Sequence, residues 1–393
     1  MSSSQKIRIG LIGLNAPYAG VITGSSWAAV AHLPYLKASS KYEVVALHNS
    51  SVERAQKAIE AYGLDPEKVK AYGTPEGLAN DPNVELVVCS VRVDRHAGSV
   101  IPSIKAGKDV YVEWPLEANY HIAKELTELV KKHNVKSFVG LQGNFSPVVK
   151  KIKEVIANGD IGDVLSSIVI VKARGGPTIS RPVDYFTDRK IGGNTFTIGF
   201  GHNIEYITAA LGEVSSYRSL LVNQFPEVDI VDPVTHEIVE KSRKNDVPNQ
   251  IAFEAVLESG AVLTFKLNTA PAISPGAKPQ QERVQFPVLD WHIVGTKGEL
   301  RIKSYDDWLL SGGSAKLVFE ICKADDGEVV QLDLGQDEFE HLPLYSRNIA
   351  RLYEAFAEGL DEKGEKKKWY PDFERALKRH KLLDQMYKEN GFN

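Results

Sequence analysis

Short apolar runs alternate with helical patterns from residue 7 to about residue 145, and this alternation restricts the possible folds more than any other feature. The apolar runs are rich in Val, Ile and Leu and lie at 7–14, 42–48, 86–90, 109–113 and 137–141. The helical patterns between them lie at 52–62, 96–105 and 121–133. Strands that alternate with helices form parallel sheets, in which each strand is buried on both faces. The sequence therefore predicts an α/β domain over residues 1–147 that contains a Rossmann-type parallel sheet.

The pattern changes after Pro147, where longer segments alternate between apolar and polar residues. After a helix at 148–158, these segments lie at 164–172, 214–221, 250–257, 261–268, 290–294 and 299–302. Such alternation predicts a large, mostly antiparallel open sheet with one covered face. Helical patterns return at 346–358 and 373–390, on both sides of the charged run 361–368, for which we expect a solvated loop. The predicted fold class is α/β plus α+β, with a second, α/β domain at 148–393 that includes the C-terminal helices at 346–390.

The composition excludes several classes of protein. The 47 basic and 51 acidic residues leave a net charge of -4, which gives no indication of direct nucleic-acid binding. Two cysteines, Cys89 and Cys322, are too few for a disulfide scaffold or a cysteine-rich zinc site, and no other spacing of ligand residues predicts a metal site. The N-terminus lacks the apolar core of a signal peptide, and no apolar run approaches the roughly 18 residues of a membrane span. We therefore expect a soluble, cytoplasmic protein without a membrane partner.

The first predicted strand runs into a glycine turn that indicates nucleotide binding. Glycines at this point let backbone amides approach a pyrophosphate at a helix N-terminus, where the helix dipole favours negative charge. Gly20 and Gly24 continue the loop, although the usual third glycine is missing at this spacing, and glycines also end strands in many folds that bind nothing. The N-terminal position and the following α/β pattern favour a dinucleotide. The predicted contacts here are Gly10, Gly13, Leu14, Asn15 and Trp27.

The end of the second predicted strand bears on the choice between NAD and NADP. An acidic residue at this point would bind the adenosine ribose 2′-hydroxyl, and none is present. Asn49, Ser50, Ser51 and Arg54 are suited to surround a 2′-phosphate instead. The alternative is that they only cap the helix that begins at Val52. The sequence therefore favours NADP, with NAD as the alternative.

Four further motifs follow the glycine turn in order. They read Val91-Arg92-Val93-Asp94-Arg95-His96, Gly107-Lys108-Asp109-Val110-Tyr111-Val112-Glu113-Trp114-Pro115-Leu116, Ile161-Gly162-Asp163 and Gly295-Thr296-Lys297-Gly298. Over nearly the whole chain, this series resembles the Gfo/Idh/MocA oxidoreductases. The branch of the fungal galactose-regulon repressor is the most similar, on the segments Leu141-Gln142-Gly143, Ser146-Pro147, Arg181-Pro182-Val183 and Phe200-Gly201-His202. The loop between Gly13 and Trp27 is longer here than in that branch.

The resemblance implies a nucleotide-binding domain followed by a domain that binds substrate and forms a homodimer. It adds cofactor contacts by Ser90, Val91, Arg92, His96, Glu113, Trp114 and Gln142. For His96 the alternative is a capping or buried structural histidine. Trp114 either walls the nicotinamide or stacks on a sugar ring, and the alternative is a core position.

The resemblance also identifies His202 as the candidate catalytic residue. The family usually carries Glu-Lys-Pro where this chain has Glu113-Trp114-Pro115, and an aspartate where it has Ile198. An imidazole with a pKa near 6.5 suits proton exchange during hydride transfer, and the alternative is a structural histidine. Further substrate contacts are predicted from Asn144, Arg174 and Tyr185, in addition to His202.

Two functions follow from these observations. The first is an NAD(P)-dependent oxidoreductase that moves a hydride between nicotinamide and a sugar, a polyol or a related hydroxy or carbonyl compound. The second is a non-catalytic, dinucleotide-sensing regulator that binds a protein partner such as a transcription factor, which would also place the protein in the nucleus. Trp114 and Ile198 favour the second function, and the retained His202 favours the first.

Overall fold

The computed structural model describes residues 6–17, 26–174, 176–235, 237–270, 286–310, 316–325, 327–359 and 369–392. Gly20, Gly24 and the charged run 361–368 lie outside the described residues. No helix within these ranges is long and apolar enough to cross a membrane. The same ranges contain no group of three or more His, Cys, Asp or Glu side chains that could hold a metal ion.

The strands agree closely with the expected pattern. Within the described ranges they are β1 (Ile7–Ile12), β2 (Tyr42–His48), β3 (Lys70–Tyr72), β4 (Leu86–Cys89), β5 (Asp109–Val112), β6 (Ser137–Val139), β7 (Val164–Arg174), β8 (Thr178–Ser180), β9 (Val214–Val222), β10 (Glu227–Val231), β11 (Ile238–Lys244), β12 (Gln250–Leu257), β13 (Val262–Ala270), β14 (Leu289–Gly295), β15 (Gly298–Ser304), β16 (Leu317–Lys323) and β17 (Val329–Gln331). Every strand that the sequence predicted is present with ends within two residues of the expected ones. The unpredicted strands include β3, which is too short for a periodic signal, and β11, which is exposed along almost its whole length and lacks alternating burial.

Each predicted helix is likewise present, with ends within two residues of the expected ones. In the described part of the chain the helices are α1 (Leu33–Ala38), α2 (Val52–Ala61), α3 (Pro75–Ala79), α4 (His96–Lys105), α5 (Tyr120–His133), α6 (Pro147–Ala157), α7 (Gly201–Leu211), α8 (Leu344–Ala357) and α9 (Phe373–Glu389). Two π-helical turns, Ala28–His32 and Thr195–Phe200, lead directly into α1 and α7. The start of α2 shows why these segments become helical. The Ser51 hydroxyl accepts a hydrogen bond from the Arg54 amide at 3.3 Å and so caps the first turn.

The chain divides into two compact units. The first contains Met1–Gln142, Lys190–Gly192 and Phe339–Leu382, and the second contains Gly143–Arg189, Gly193–Glu338 and Leu383–Asn393. The sequence placed the only boundary after residue 147 and assigned all C-terminal helices to the second domain. The structure differs because α8 packs in the first unit, where the Tyr353 ring stacks on Tyr111 with 5.7 Å between centroids. An amphipathic pattern shows that a helix has an apolar face, but not which surface covers that face.

The first unit contains a six-stranded, fully parallel sheet in the order β3-β2-β1-β4-β5-β6. The four residues of β4 are completely buried, which confirms the interpretation of the continuous apolar run. Successive strands are added in opposite directions from β1, towards β2 on one side and β4 on the other. In doubly wound sheets this switch point is where ligands bind, at the carboxyl ends of the strands.

The second unit contains an eight-stranded sheet in the order β17-β16-β15-β14-β7-β13-β12-β9. Only β7 and β13 pair in parallel, and the other neighbours are antiparallel, as the sequence predicted. Along β7, Val169 is buried whereas Ile168 and Ile170 are 46% and 40% exposed. A separate three-stranded sheet has the order β11-β10-β8.

Two of the family motifs stabilise the second unit together. Thr296 and Lys297 form the turn between β14 and β15, and their amides donate to the carbonyl oxygens of Asp163 and Ile161 at 2.9 and 2.8 Å. A Cβ on Gly295 would lie only 2.1 Å from the Ile161 oxygen, which explains the glycine. These motifs therefore have a structural role in holding one end of the sheet.

Candidate functional site

The glycine turn lies at the switch point of the parallel sheet. Gly13 follows β1 with φ +98, and a Cβ at this position would lie 2.2 Å from the Ser90 carbonyl oxygen and 2.8 Å from Val91 Cγ1. Both features exclude a side chain at residue 13. The structure thus brings together Gly13, Ser90 and Val91, three of the predicted cofactor residues, at the carboxyl ends of β1 and β4.

Gly10 has a different environment from the one expected. It lies inside β1, and a Cβ there would lie 2.9 Å from Leu78 Cδ1 and 3.0 Å from Val84 Cγ1. The glycine therefore permits α3 to pack closely on the strand, which is a sufficient reason for it without any cofactor contact.

Asn49 connects the end of β2 to the glycine turn. Its side chain is 6% exposed and donates from Nδ2 to the Leu14 carbonyl oxygen at 2.8 Å. Asn15 is exposed, and its carbonyl oxygen accepts from the Tyr62 hydroxyl at 2.9 Å. Both contacts stabilise the backbone after Gly13, so the Asn49 amide has a structural role that the sequence did not indicate.

The residues expected at the 2′ position separate into two groups. Ser51 caps α2, which agrees with the structural alternative for that residue. Ser50 and Arg54 are exposed, and within the described ranges the Arg54 guanidinium has neither an ion pair nor a hydrogen bond. Ser50 and Arg54 are therefore available to an anion at the end of β2.

Glu113 follows β5 and is the centre of a buried hydrogen-bond network. Its Oε1 accepts from His32 Nε2 at 2.7 Å and from the Tyr111 hydroxyl at 2.5 Å. Burial raises the pKa of Tyr111 and of Tyr353 well above the usual range, so both hydroxyls keep their protons. The Tyr353 hydroxyl and His32 Nδ1 form a hydrogen bond of 2.9 Å. His32 and Tyr353 were not predicted as site residues, because their only signal is a contact between distant parts of the chain.

His96 and Trp114 lie near each other at the carboxyl ends of β4 and β5. The ring nitrogens of His96 lie 3.1 Å from the carbonyl oxygens of Leu116 and Val91, and burial lowers the pKa of its imidazole. Beside Trp114 lies His380 of α9, with 5.0 Å between ring centroids. Burial lowers the pKa of His380 to about 3, so its ring is neutral at physiological pH. Sequence reasoning missed His380, for which the chain carries no local signal.

Orphaned polar atoms test whether a dinucleotide fits the first unit. Among its described residues, Trp27 Nε1, Ser103 Oγ, Gln142 Oε1 and His380 Nε2 are buried without a hydrogen-bond partner. Buried polar atoms are normally paired, so each of these requires an explanation such as a ligand or a water. Trp27 and Gln142 are predicted cofactor residues, and His380 contacts a third, Trp114. The chemistry of this unit therefore fits a polar ligand that carries both donors and acceptors. Arg92, another predicted cofactor residue, pairs with Asp94 at 2.6 Å.

In the second unit, His202 lies near the start of α7 and is 7% exposed. Its ring centroid is 6.1 Å from that of Trp308. Three residues later, Glu205 is only 1% exposed, and its Oε1 accepts from Asn144 Nδ2 at 2.8 Å. Residues three apart on a helix lie on the same face, so His202 and Glu205 are neighbours. The structure thus brings Asn144 into the group around His202. The sequence does carry a signal for Glu205, which is the one carboxylate in the largely uncharged segment Gly201–Leu211.

The other predicted substrate residues are placed separately. Tyr185 lies in the short 3₁₀ segment Arg181–Thr187, next to Asp184, which pairs with Arg243 at 2.9 Å. Arg174 is the last residue of β7 and pairs through its backbone with Ala270. Contact of either residue with a substrate stays a prediction.

Comparison with known proteins agrees with this architecture. A family model described as an oxidoreductase family with an NAD-binding Rossmann fold matches residues 19–141, and a model of the Gal80p C-terminal domain matches residues 147–304. Dehydrogenase aclE of Aspergillus oryzae is 30% identical over 301 residues, which cover 76% of this chain and 77% of that protein. The chain belongs to the Gfo/Idh/MocA oxidoreductase family.

Other members of the Gfo/Idh/MocA family match almost the full length. The galactose/lactose metabolism regulatory protein GAL80 of Saccharomyces cerevisiae is 27% identical over 98% of this chain and 92% of its own length. The crystal structure of a super-repressor mutant of Gal80p from the same organism superimposes with a TM-score of 0.82 at 23% identity, covering 99% of this chain and 96% of that one. The family thus includes proteins named as dehydrogenases and proteins named as regulators, and the residues of the site have to distinguish between these functions.

Two positions distinguish this chain from the usual Gfo/Idh/MocA pattern. Trp114, in the position of the family lysine, is 4% exposed. Ile198, in the position of the family aspartate, lies in the π-turn Thr195–Phe200, four residues before His202. The carboxylate nearest to His202 along the helix is that of Glu205, three residues after it on the same face of α7.

Proposed function

We propose that this protein is an NAD(P)-dependent oxidoreductase that transfers a hydride between nicotinamide and a sugar, a polyol or a related hydroxy or carbonyl compound. The observation that carries the proposal is the buried pair of His202 and Glu205, together with the half-buried Asn144 that donates to Glu205. Burial of a histidine and a carboxylate side by side on α7 is unfavourable without partners, so each of these buried polar groups requires an explanation such as a functional role.

His202 has the central chemical role in this proposal. A bound nicotinamide dinucleotide supplies the carbon that donates or accepts the hydride. His202 takes the proton of the substrate hydroxyl during oxidation and returns it during reduction. Asn144 Nδ2 holds the Glu205 carboxylate on the helix face that carries His202. Because Trp114 has no exchangeable proton of suitable pKa, it contributes an aromatic wall and no proton transfer.

Turnover measurements test the proposal directly. Purified protein is mixed with NADP or NAD and a panel of sugars, polyols and hydroxy acids, and the reduced nicotinamide is followed by its absorbance. The reverse direction uses NADPH or NADH with the corresponding carbonyl compounds. We expect turnover with at least one pair. Binding of the dinucleotide without turnover across the panel contradicts the proposal.

The second candidate is a dinucleotide-sensing regulator that binds a protein partner. Trp114 and Ile198, which replace the lysine and aspartate of the family pattern, favour it, as does the match to the Gal80p C-terminal domain model. This function predicts dinucleotide binding without turnover, together with a specific partner protein whose affinity changes when the dinucleotide is added. Turnover with a defined substrate, together with no such partner, rejects it.

We expect a preference for NADPH that depends on Arg54. Its exposed guanidinium at the start of α2 is suited to a 2′-phosphate, and hydrogen bonds to charged groups contribute about 1.5–3 kcal/mol. Arg54→Ala should therefore weaken NADPH binding about 10- to 100-fold and leave NADH binding within about twofold, as measured by nicotinamide fluorescence. Lys57→Ala, which removes another exposed cation from the same helix, is the control for a general change of charge. Equal losses for both cofactors would show that Arg54 does not bind the 2′-phosphate.

The exposed face of the eight-stranded sheet is proposed as the homodimer interface. Ile168, 46% exposed, lies at the centre of this face on β7, between Thr264 of β13 and His292 of β14. Ile168→Asp should convert the dimer to a 43.4 kDa monomer in sedimentation, because a buried unpaired carboxylate is strongly unfavourable. The matched control is Ile238→Asp, which replaces a residue that is 49% exposed on β11. A wild-type protein that sediments only as the monomer contradicts the proposal.

A further inference from the structure

The π-turn Ala28–His32 joins the loop after the glycine turn to α1. It begins directly after Trp27, a predicted cofactor residue, and π-helical turns are rare elements that are frequently found at functional sites. The turn is anchored by side chains from distant parts of the chain. His32 is bound by Glu113, and the Ala31 carbonyl oxygen accepts from the Ser346 hydroxyl at 2.7 Å. Its position therefore depends on these contacts.

The carboxylate of Glu113 is enclosed by protein groups. Besides the contacts of Oε1 with His32 and Tyr111, its Oε2 lies where it excludes a side chain at residue 140. A Cβ on Gly140 would lie 2.4 Å from Oε2 and 2.9 Å from the Tyr111 oxygen. The absence of a side chain at residue 140 thus leaves room for this carboxylate, and His32 and Tyr111 donate hydrogen bonds to it.

We propose that Glu113 is a positioning residue for dinucleotide binding. Through its hydrogen bond with His32 it fixes the π-turn Ala28–His32, which follows the glycine turn in the chain, and it does not contact the dinucleotide itself. The proposal rests on dinucleotide binding as part of the proposed function. It explains why the glutamate of the Glu-Lys-Pro pattern is retained here although the lysine is Trp114. The glutamate stabilises the backbone of the binding site, and this task is independent of proton transfer.

Hydrogen exchange of the unliganded protein, measured by mass spectrometry, tests the structural half of the proposal. Glu113→Ala should accelerate exchange in a peptide covering 28–36 at least about tenfold, because a locally anchored turn opens more often when its anchor is lost. The matched control is Glu117→Ala. Glu117 is another buried carboxylate at this edge of the sheet, and its Oε2 accepts from the Ala97 amide at 2.8 Å. That variant should accelerate exchange at the start of α4 and leave 28–36 unchanged.

Binding of NADPH, measured by fluorescence titration, tests whether the position of the π-turn affects dinucleotide binding. If the ordered turn is populated about one tenth of the time, the apparent affinity falls about tenfold, which is the loss we expect for Glu113→Ala. Glu113→Gln keeps an acceptor oxygen for His32 and Tyr111 and should restore the affinity to within about threefold of wild type. His32→Phe should reproduce the loss of NADPH affinity. The double variant that combines His32→Phe with Glu113→Ala should bind NADPH no more weakly than either single variant.

The outcomes separate the possible roles of Glu113. Weaker NADPH binding in Glu113→Ala with unchanged exchange at 28–36 means direct contact with the dinucleotide and overturns the proposal. Faster exchange with unchanged affinity also overturns it, because the turn then has no influence on binding. If wild-type protein binds no dinucleotide, the proposed function fails, whereas the exchange result still shows whether Glu113 anchors the turn. Should Glu113→Ala not fold, the Glu113→Gln and His32→Phe pair decides by the same two measurements.

Discussion

Replacing His202 by asparagine is expected to lower kcat/KM by about two to four orders of magnitude, the usual contribution of a general acid or base. Asparagine retains polar contacts at this 7%-exposed position but has no group that exchanges a proton near neutral pH. The affinity for NADPH should stay within about twofold, since the proposed role of His202 concerns the substrate proton. Steady-state kinetics and fluorescence titration measure the two quantities on the same preparation.

His341→Asn is the matched control, because His341 is exposed and the substitution is chemically identical. Its kinetics should equal those of the wild type. A His202→Asn variant that retains more than about a tenth of wild-type kcat/KM means that another group carries the proton. In that case Glu205 is the first residue to examine, since it is the buried carboxylate next to His202 on α7.

Gly13→Ala is expected to abolish detectable dinucleotide binding and to destabilise the first unit by about 1–3 kcal/mol. Two effects combine at this position. The backbone has φ +98, which disfavours any side chain, and a Cβ would lie 2.2 Å from the Ser90 carbonyl oxygen. Because the obstacle is backbone, a rotamer change cannot relieve it, and the carboxyl ends of β1 and β4 must separate. Thermal denaturation and NADPH titration measure the two consequences.

The control Gly212→Ala separates backbone strain from the steric clash of a new Cβ with a neighbouring atom. Gly212 has φ +100, almost the same as Gly13, but a Cβ there would have no heavy atom within 4 Å. This control should show the backbone strain alone, with dinucleotide binding within about twofold of wild type. If Gly13→Ala and Gly212→Ala lose equal stability and Gly13→Ala still binds NADPH, the close approach at Ser90 has no part in the binding site.

The sequence predicted the strand ends and turns around the candidate site well, because these features depend on residues that are consecutive in the chain. A strand that ends in a glycine, such as β1 before Gly13, is recognisable from consecutive residues. The cap of Ser51 on α2 is one of the alternatives that the sequence indicates, for the same reason. By contrast, the predicted site residues included Gly10 and Asn49, for which the structure supplies packing and backbone contacts. A glycine or an asparagine near a turn has the same local signature whether it contacts a ligand or a neighbouring strand.

The residues that sequence reasoning missed depend on contacts over long sequence separations. His32, Tyr353 and His380 acquire their environments from residues hundreds of positions away or on other elements, as the bond between His32 and Tyr353 illustrates. Glu205 is the exception, since a carboxylate within an apolar helical stretch was visible in the sequence. Its hydrogen bond with Asn144, however, is visible only in the tertiary structure.

The sequence by itself determined most of the strands and helices, the change from a parallel to a mostly antiparallel sheet, and the family. These follow from the periodicity of burial and from short motifs, both of which are encoded by neighbouring residues. Only the tertiary structure decided that Phe339–Leu382 belongs with the first unit, that Glu113 binds His32, and that Glu205 lies with His202. A pattern of apolar and polar residues determines which side chains are buried, whereas the partner of each buried polar group is chosen by the packing of the whole chain.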